Sequence, residues 1–328
     1  YFPWKKHVVV PEDMVLNFPE VKFLQITDGK SLTSFMKVLD TMKNNSVESF
    51  SDKGIFLVNH NMHFGKHYLF GGSGQTKIYD LPVKFAFKTI IPFEKNRFLG
   101  LTVDNKVFLY DTENRDVILY KELSFLKLRE IDSRFFALDK TGKIWEIIID
   151  EDINVKKFLE LDTKITDIQT LSGHEDYIVF LLKTAGANIL AATKRDGSIL
   201  LQETGVDSVY IEKNVLYFSK QNTMFTFDLI EKTQLQEYTL PFSITWLSRI
   251  GNTFNFIFLT KEFDLMYCDE DLENCHKILD LGSKFSFFAS SADRYNFITI
   301  STGGQLLLFD FGRDYGLPQL LQNLVSRK

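Results

Sequence analysis

The chain has 328 residues, of which 45% are hydrophobic and 25% are charged, a composition typical of a soluble globular protein with a sizeable core. Its net charge of -5 at pH 7 disfavours general nucleic-acid binding, which usually needs a basic excess. No run approaches the roughly 18 apolar residues of a membrane span, and no signal-peptide pattern opens the chain. The 32 Phe and 12 Tyr, against 7 Pro, favour strands.

The first 45 residues are predicted to form an extension that packs beside the rest of the chain or closes it. Four apolar residues within 31–43 are spaced for one face of a helix: Leu32, Phe35, Met36 and Leu39. The outline Val10-Pro-Glu-Asp-Met-Val-Leu16 followed by Ser31-Leu-Thr-Ser-Phe-Met-Lys-Val38 resembles an F-box. That resemblance implies the substrate receptor of a ubiquitin ligase.

One pattern then recurs: an apolar strand, a short polar or glycine turn, and a second strand that often closes on an acidic residue. Six clear copies end at Asp80, Asp111, Ile148, Asp228, Asp269 and Asp310. The gap between the third and fourth of these hides another copy, which we place at 177–192, with 197–202 as the outer strand of the same unit. Each copy is typical of a β-hairpin, so the chain contains seven.

Short apolar segments lie between the hairpins, at 124–128, 165–168, 206–211, 244–247 and 285–288. Together with an outer strand, they give about four strands per repeat and a period near 40 residues, which is the signature of propeller blades. We therefore predict an all-β fold. It is a seven-bladed β-propeller over 46–315, with short helical or irregular extensions at 1–45 and 316–328.

The repeat also resembles known families. A polar turn followed by an aromatic-rich strand and Asp is similar to the WD-repeat family. The segment 165–182, in which Gly173 and His174 precede an apolar strand, resembles a repeat of the regulator of chromosome condensation. The resemblance covers about residues 46–311. It implies a propeller and assigns no functional residue.

Three motifs could suggest a bound group, and we assign each to a turn. His60, His63 and His67 lie between strand-like segments, without the supporting ligands that a metal site needs. The glycine-rich segment 71–77 leads into a strand, whereas a phosphate-binding loop opens a helix. The acidic turns at 150–152 and 269–271 lack the twelve-residue calcium loop. We expect no metal, no cofactor and no catalytic residue.

Basic residues in the turns are the candidate partner-binding residues. Arg97, Arg134 and Arg294 each precede an aromatic residue at the same phase of the repeat, which predicts one shared face. A second set is predicted on the opposite face, which we prefer because a ring of positive charge suits an acidic protein or peptide. Its members are Lys140, Lys194, Arg195, Lys220 and Lys261. The alternative is that solvated turns carry cations by chance.

The only cysteines are Cys268 and Cys275. They could pair across a hairpin, but we expect two free thiols and a reducing, intracellular location, cytoplasmic or nuclear.

We therefore predict a non-catalytic recognition subunit that holds a partner protein on one propeller face inside a larger complex. One alternative is a scaffold propeller of a coat, pore or tethering complex. An alternative from another class is a nucleotide-exchange factor or an enzyme that acts at the propeller face.

Overall fold

The computed structural model describes residues 86–94, 97–250 and 255–277 and Phe297 with their side chains, and elsewhere the backbone of the strands named below. All regular secondary structure in this part of the chain is β-strand. The strands form seven four-stranded sheets and one two-stranded sheet. The chain divides into two compact units: residues 44–237, and residues 1–43 together with 238–328.

The unit of residues 44–237 contains five of the four-stranded sheets. The first two are β4 (Asn45–Ser51), β5 (Gly54–Asn59), β6 (Phe64–Phe70) and β7 (Thr76–Asp80), then β8 (Phe87–Glu94), β9 (Arg97–Thr102), β10 (Lys106–Asp111) and β11 (Asp116–Glu122). The third and fourth are β12 (Phe125–Ile131), β13 (Arg134–Asp139), β14 (Ile144–Ile149) and β15 (Ile153–Leu159), then β16 (Ile165–His174), β17 (Tyr177–Thr184), β18 (Asn188–Lys194) and β19 (Ile199–Thr204). The fifth is β20 (Ser208–Glu212), β21 (Val215–Lys220), β22 (Thr223–Asp228) and β23 (Thr233–Thr239).

The other unit contains two four-stranded sheets and the two-stranded one. The latter pairs β1 (Val8–Val9) with β2 (Gln25–Ile26). One larger sheet is β24 (Ile244–Arg249), β25 (Phe256–Thr260), β26 (Asp264–Cys268) and β27 (Cys275–Asp280). The other is β28 (Phe285–Ser290), β29 (Asn296–Ser301), β30 (Leu306–Asp310) and, from the N-terminal part of the chain, β3 (Met36–Asp40).

Strands within each four-stranded sheet lie side by side, and in six of the sheets they follow chain order. We name the four strands of each sheet a to d in the order in which they lie side by side, starting from β4, β8, β12, β16, β20, β24 and β28 as the a strands. In the unit of residues 44–237, the a strands of consecutive sheets lie next to one another, from β4 through β8, β12 and β16 to β20. The short apolar segments predicted between the hairpins fall on the a strands β12, β16, β20, β24 and β28, and the predicted outer strand at 197–202 is β19.

Several b and c strands, such as β9, β10 and β17, are apolar along most of their length because both of their faces are buried. In β9, Phe98 packs with Phe87 and Phe108 on one side of the sheet, and Leu99 and Leu101 pack toward the next sheet on the other. A continuous apolar run of this length is typical of a strand buried on both faces. This double burial is why the hairpins stand out in the sequence.

Where their side chains are described, the acidic residues that close the hairpins cap the turn that follows. The Asp111 carboxylate accepts the backbone N–H groups of Glu113 and Asn114, each at 2.9 Å. The same arrangement recurs at Asp228, whose carboxylate accepts two backbone N–H groups of its turn. The N–H of Asn114 is the main cause of a lowered pKa at Asp111. Aspartate suits this place because its short side chain can satisfy turn amides.

The helix predicted over 31–43 is wrong, because Met36–Asp40 form β3. This strand pairs antiparallel with β30, with Met36 opposite Phe309 and Val38 opposite Leu307. Pairing with a strand more than 260 positions later along the chain overrides a weak local helical periodicity.

The first predicted hairpin is out of phase with the others. The copy ending at Asp80 joins β6 to β7, the c and d strands, whereas the later copies join b to c. The equivalent b–c hairpin is β5 and β6. The glycine-rich segment between β6 and β7 gives a stronger turn signal in the sequence than the segment between β5 and β6. Matching by sequence therefore selects the later turn.

The prediction of free thiols is also wrong. Cys268 on β26 and Cys275 on β27 form a disulfide. Their strands pair in a register that sets the two cysteines directly opposite each other, with Cα atoms 4.1 Å apart.

Candidate partner-binding surface

Each four-stranded sheet has two ends that carry different turns. Because neighbouring strands are antiparallel, the b–c turn and the loop leading to the next a strand lie at one end, which we call the b–c end. The a–b and c–d turns lie at the other, the a–b end. Backbone hydrogen bonds support this assignment of turns to the two ends. Val103 in a b–c turn donates to Ala86 before the a strand, and Leu229 in a c–d turn donates to Asn214 in an a–b turn.

Consecutive sheets meet closely at the b–c end. Gly142, in the turn between β13 and β14, has φ +91° and approaches the start of β16. A Cβ at this position would lie 2.8 Å from the backbone nitrogen of Ile165. Glycine is required here both by the left-handed backbone and by the close approach.

The predicted arginines at the a–b end are paired within the protein. Arg97 forms ion pairs with Glu94 at 3.1 Å and with Asp111 at 3.5 Å. Arg134, with 17% of its side chain exposed, contacts Glu146 at 2.6 Å. The arginines at 97 and 134 therefore have a structural explanation, since each lies at the start of a b strand and neutralises a carboxylate on the c strand.

Arg195 does not share an end with Lys140, which corrects the predicted face. It lies in a c–d turn, between β18 and β19, and its guanidinium donates to the Glu175 carbonyl in the a–b turn of the same sheet. It also reaches Asp132 of the preceding sheet at 3.5 Å, and its own carbonyl accepts a hydrogen bond from Arg134 at 2.9 Å. Lys194, which ends β18, lies at the same end. The hairpin of β17 and β18 is predicted correctly from the sequence. The turn that follows β18, which contains Arg195, lies at the end opposite the turn within that hairpin.

Lys220 is at the predicted b–c end but is engaged. Its ammonium contacts Glu203 of the preceding sheet at 2.7 Å. It also lies 5.9 Å from the ring centroids of Phe218 and Phe225. Lys220 therefore links two sheets.

Lys140 and Lys261 match the prediction of exposed cations in b–c turns. Both are exposed, and neither forms an ion pair within the described part of the chain. They belong to different units, Lys140 to residues 44–237 and Lys261 to the other. Arg294 lies outside the described residues, as do the side chains of His60, His63 and His67.

Three further lysines at the b–c end of the unit 44–237 were not predicted. Lys164 precedes β16 and Lys183 lies near the end of β17, both exposed and without an ion pair among the described side chains. The third, Lys88, is the second residue of β8. Aligning the a strands by their leading aromatic or isoleucine residue would have placed Lys88 at this end.

Lys88 carries a charge that its surroundings compensate poorly. Its ammonium donates to the Asn105 side-chain oxygen at 3.0 Å and to the Phe125 carbonyl at 3.3 Å, both of them neutral acceptors. Partial burial lowers the pKa of Lys88, and the positive charge of Lys140 lowers it further. Asp104 opposes this effect, but its carboxylate is bound to Lys106 at 2.8 Å.

Carboxyl groups with a lowered pKa accept hydrogen bonds from neighbouring groups of the protein itself. At Asp139, burial raises the pKa, but hydrogen bonds from the Lys143 backbone, the Trp145 indole and Thr141 outweigh it. At Glu160, hydrogen bonds from Lys143 and Lys157 lower the pKa. Within the described ranges, no group of three or more His, Cys, Asp or Glu residues could hold a metal ion. No helix in that part of the chain is long and apolar enough to cross a membrane.

Comparison with known proteins identifies the fold. No family model matches the chain, and no curated protein matches it in sequence. Among solved structures, a chain in the crystal structure of the mitotic checkpoint complex aligns with a TM-score of 0.62 at 9% identity, covering 89% of this chain and 98% of that one. The WD40 domain of Neurospora crassa Pan2 aligns with a TM-score of 0.60 at 10% identity, covering 81% and 88%. BamB from Moraxella catarrhalis aligns with a TM-score of 0.56 at 10% identity, covering 85% and 97%.

These similarities, together with the repeated four-stranded sheets, show an all-β propeller fold like that of WD-repeat proteins. The all-β propeller class predicted from the sequence is thereby confirmed, and the count of seven blades stays a prediction.

Proposed function

We propose that this chain is a non-catalytic protein-interaction propeller that binds an acidic partner protein at the b–c end of the unit 44–237. The observation that carries the proposal is the set of cations there. Lys140, Lys164 and Lys183 are exposed and have no carboxylate partner among the described residues. On a chain of net charge -5, such a set favours association with a surface of opposite sign.

The a–b end differs in its acidic residues and its arginine pairing, and not in exposed lysines, since Lys194, Lys213 and Lys232 there are exposed as well. There the predicted arginines Arg97, Arg134 and Arg195 are neutralised by carboxylates or by carbonyl groups of the protein itself. The turns at that end are also rich in acidic residues, such as 150–152 and 175–176. An acidic partner would be repelled by them.

Affinity purification of the full-length protein, followed by mass spectrometry, tests the proposal. The variant Lys140→Glu/Lys164→Glu/Lys183→Glu reverses the charge at the b–c end. A matched control, Lys194→Glu/Lys213→Glu/Lys232→Glu, reverses three exposed lysines at the a–b end. We expect proteins captured by the wild type and the control to be missing from the first variant. Identical sets of captured proteins from all three would contradict the proposal.

The identity of the captured proteins also distinguishes the roles that a recognition subunit could have. Components of a ubiquitin ligase would favour the substrate receptor suggested by the F-box-like outline. Of that outline, residues 10–16 and 31–35 lie outside the described part, and 36–38 belong to β3. Subunits of a coat, pore or tethering complex would favour a scaffold.

A further inference from the structure

Most a strands contain the same irregularity near their start, namely β4, β8, β12, β16, β24 and β28, so it is a feature of the repeat. The pairing of β8 with β9 shifts register between Phe87 and Thr89, and that of β12 with β13 shifts between Phe125 and Lys127. The residues at these β-bulges are Lys88 and Leu126. Bulges redirect side chains, and in β8 and β12 the redirected side chains are those of Lys88 and Leu126.

Around Lys88, cationic and apolar groups converge. Its ammonium is bound to the Phe125 carbonyl, next to Leu126, whose side chain is 39% exposed. It is also bound to Asn105, in the same turn as Val103, which is 57% exposed. Val103 is held there by a 2.8 Å backbone hydrogen bond to Ala86.

Neither of the two lysines forms an ion pair among the described residues, and the nearby Asp104 is bound to Lys106. A lysine ammonium has three donors, and Lys88 uses two of them on neutral oxygens. Lys140 on the neighbouring sheet makes no ion pair in the described part of the chain and repels Lys88. A carboxylate placed between the two ammonium groups would accept the remaining donor and remove the repulsion.

We propose that Lys88 and Lys140, with Val103 and Leu126 beside them, form a docking site for a short acidic segment of a partner protein in which a carboxylate neighbours an apolar side chain. The site deepens the proposed function and rests on it. The charge selects an acidic partner, and the exposed apolar pair gives an adjacent apolar side chain a surface to cover. A nucleic acid or another simple polyanion would use the lysines but not Val103 and Leu126.

The site can be tested with synthetic peptides and the full-length protein. The probe is a fluorescein-labelled peptide with the sequence Gly-Ser-Glu-Leu-Glu-Leu-Ser-Gly, titrated by fluorescence anisotropy. Two control peptides replace either both glutamates by glutamine or both leucines by serine. A single-stranded DNA octamer serves as a polyanion without apolar side chains.

Three protein variants accompany the probes. Lys88→Gln/Lys140→Gln removes the charges, and Val103→Ser/Leu126→Ser removes the apolar pair. The matched control is Lys194→Gln/Ile230→Ser, which changes an exposed lysine and an exposed isoleucine at the a–b end. Thermal midpoints of all variants establish that each is folded.

We expect the Glu-Leu peptide to bind the wild type and the control variant equally, and each of the other two variants at least about tenfold more weakly. Both control peptides and the DNA should bind the wild type at least about tenfold more weakly than the probe does. Equal binding of the Glu-Ser peptide or of the DNA would overturn the docking site but leave an acidic-partner surface standing. Absence of peptide binding, with lysine-dependent capture of a partner intact, would also overturn the docking site alone. Absence of peptide binding together with absence of lysine-dependent partner capture would reject the proposed function as well.

Discussion

The Arg134 guanidinium donates a hydrogen bond to the backbone carbonyl of Arg195, with 2.9 Å between Nη2 and the oxygen, and so joins two consecutive sheets of the propeller. The same guanidinium forms an ion pair with Glu146 and lies 5.3 Å from the ring centroids of Phe136 and Phe158. An arginine that looks like an interface anchor in the sequence is therefore a structural link.

Replacing Arg134 should destabilise the protein more than replacing Arg97. Arg134→Met leaves Glu146 without its cation in a largely buried place, which costs about 2 kcal/mol or more of unfolding free energy. Arg97→Met removes a more exposed pair, worth less than about 1 kcal/mol. Urea titrations of the two variants measure both values. Equal losses would show that Arg134 is not a link.

Asp139 should contribute stability that depends on pH. Its carboxylate accepts the Thr141 and Lys143 backbone N–H groups, and the Trp145 indole N–H at 2.7 Å, and its pKa is lowered as a result. A carboxyl whose pKa is lower in the folded state stabilises that state above the unfolded pKa of about 3.9. This contribution is lost as the pH falls through the folded-state value.

We therefore expect Asp139→Asn to lower the free energy of unfolding at pH 7 by about 1 to 3 kcal/mol. The difference from the wild type should shrink below about pH 4. Asp162→Asn, at an exposed position after β15, is the control and should change little at either pH. Urea unfolding at pH 7 and at pH 3 measures both. A difference for Asp139→Asn that is independent of pH would contradict this role.

The disulfide between Cys268 and Cys275 makes a prediction about free thiols. Alkylation of the denatured, non-reduced protein should modify no cysteine, and reduction beforehand should expose two, as mass spectrometry measures. Because the bond closes a short loop, Cys268→Ala/Cys275→Ala should cost about 2 kcal/mol of stability. Two reactive thiols in freshly purified protein would instead support the expectation drawn from composition.

Pairing of β3 with β30 predicts different effects of proline at two neighbouring positions. Successive N–H groups of an antiparallel strand point to opposite sides, so only one of Lys37 and Val38 donates to β30. Proline removes that donor. We expect one of Lys37→Pro and Val38→Pro to lower the thermal midpoint by clearly more than the other. Two variants as stable as the wild type would show that β3 does not contribute to this sheet.

The sequence predicts the repeated hairpins well because burial on both faces leaves continuous apolar runs, as in β9 and β13. It predicts poorly whatever depends on pairing over long distances. Met36–Asp40 look helical locally, and only the edge of β30 makes them a strand. The partnership of Cys268 with Cys275 depends on a register that two cysteines alone do not reveal.

The residues of the candidate partner-binding surface also divide into those that depend on local sequence and those that depend on long-range pairing. Lys140 was predicted because it lies in a b–c turn, which is a local feature. Arg195 was assigned to the wrong end because the turn after its strand was not followed to the next one. Lys88 was missed because its place beside Asn105 and Phe125 depends on a bulge and on the adjacent sheet.

The most direct test of the account is the affinity of the purified partner for three forms of the full-length protein, measured by calorimetry. These are the wild type, Lys140→Glu/Lys164→Glu/Lys183→Glu, and Lys194→Glu/Lys213→Glu/Lys232→Glu, all with matching thermal midpoints. Loss of desolvated interface cations costs about 2 kcal/mol or more, so we predict that the first variant binds at least about 30-fold more weakly. The second should bind within about twofold of the wild type. Unchanged affinity of the first variant, or an equal loss in the second, would contradict a binding surface at the b–c end.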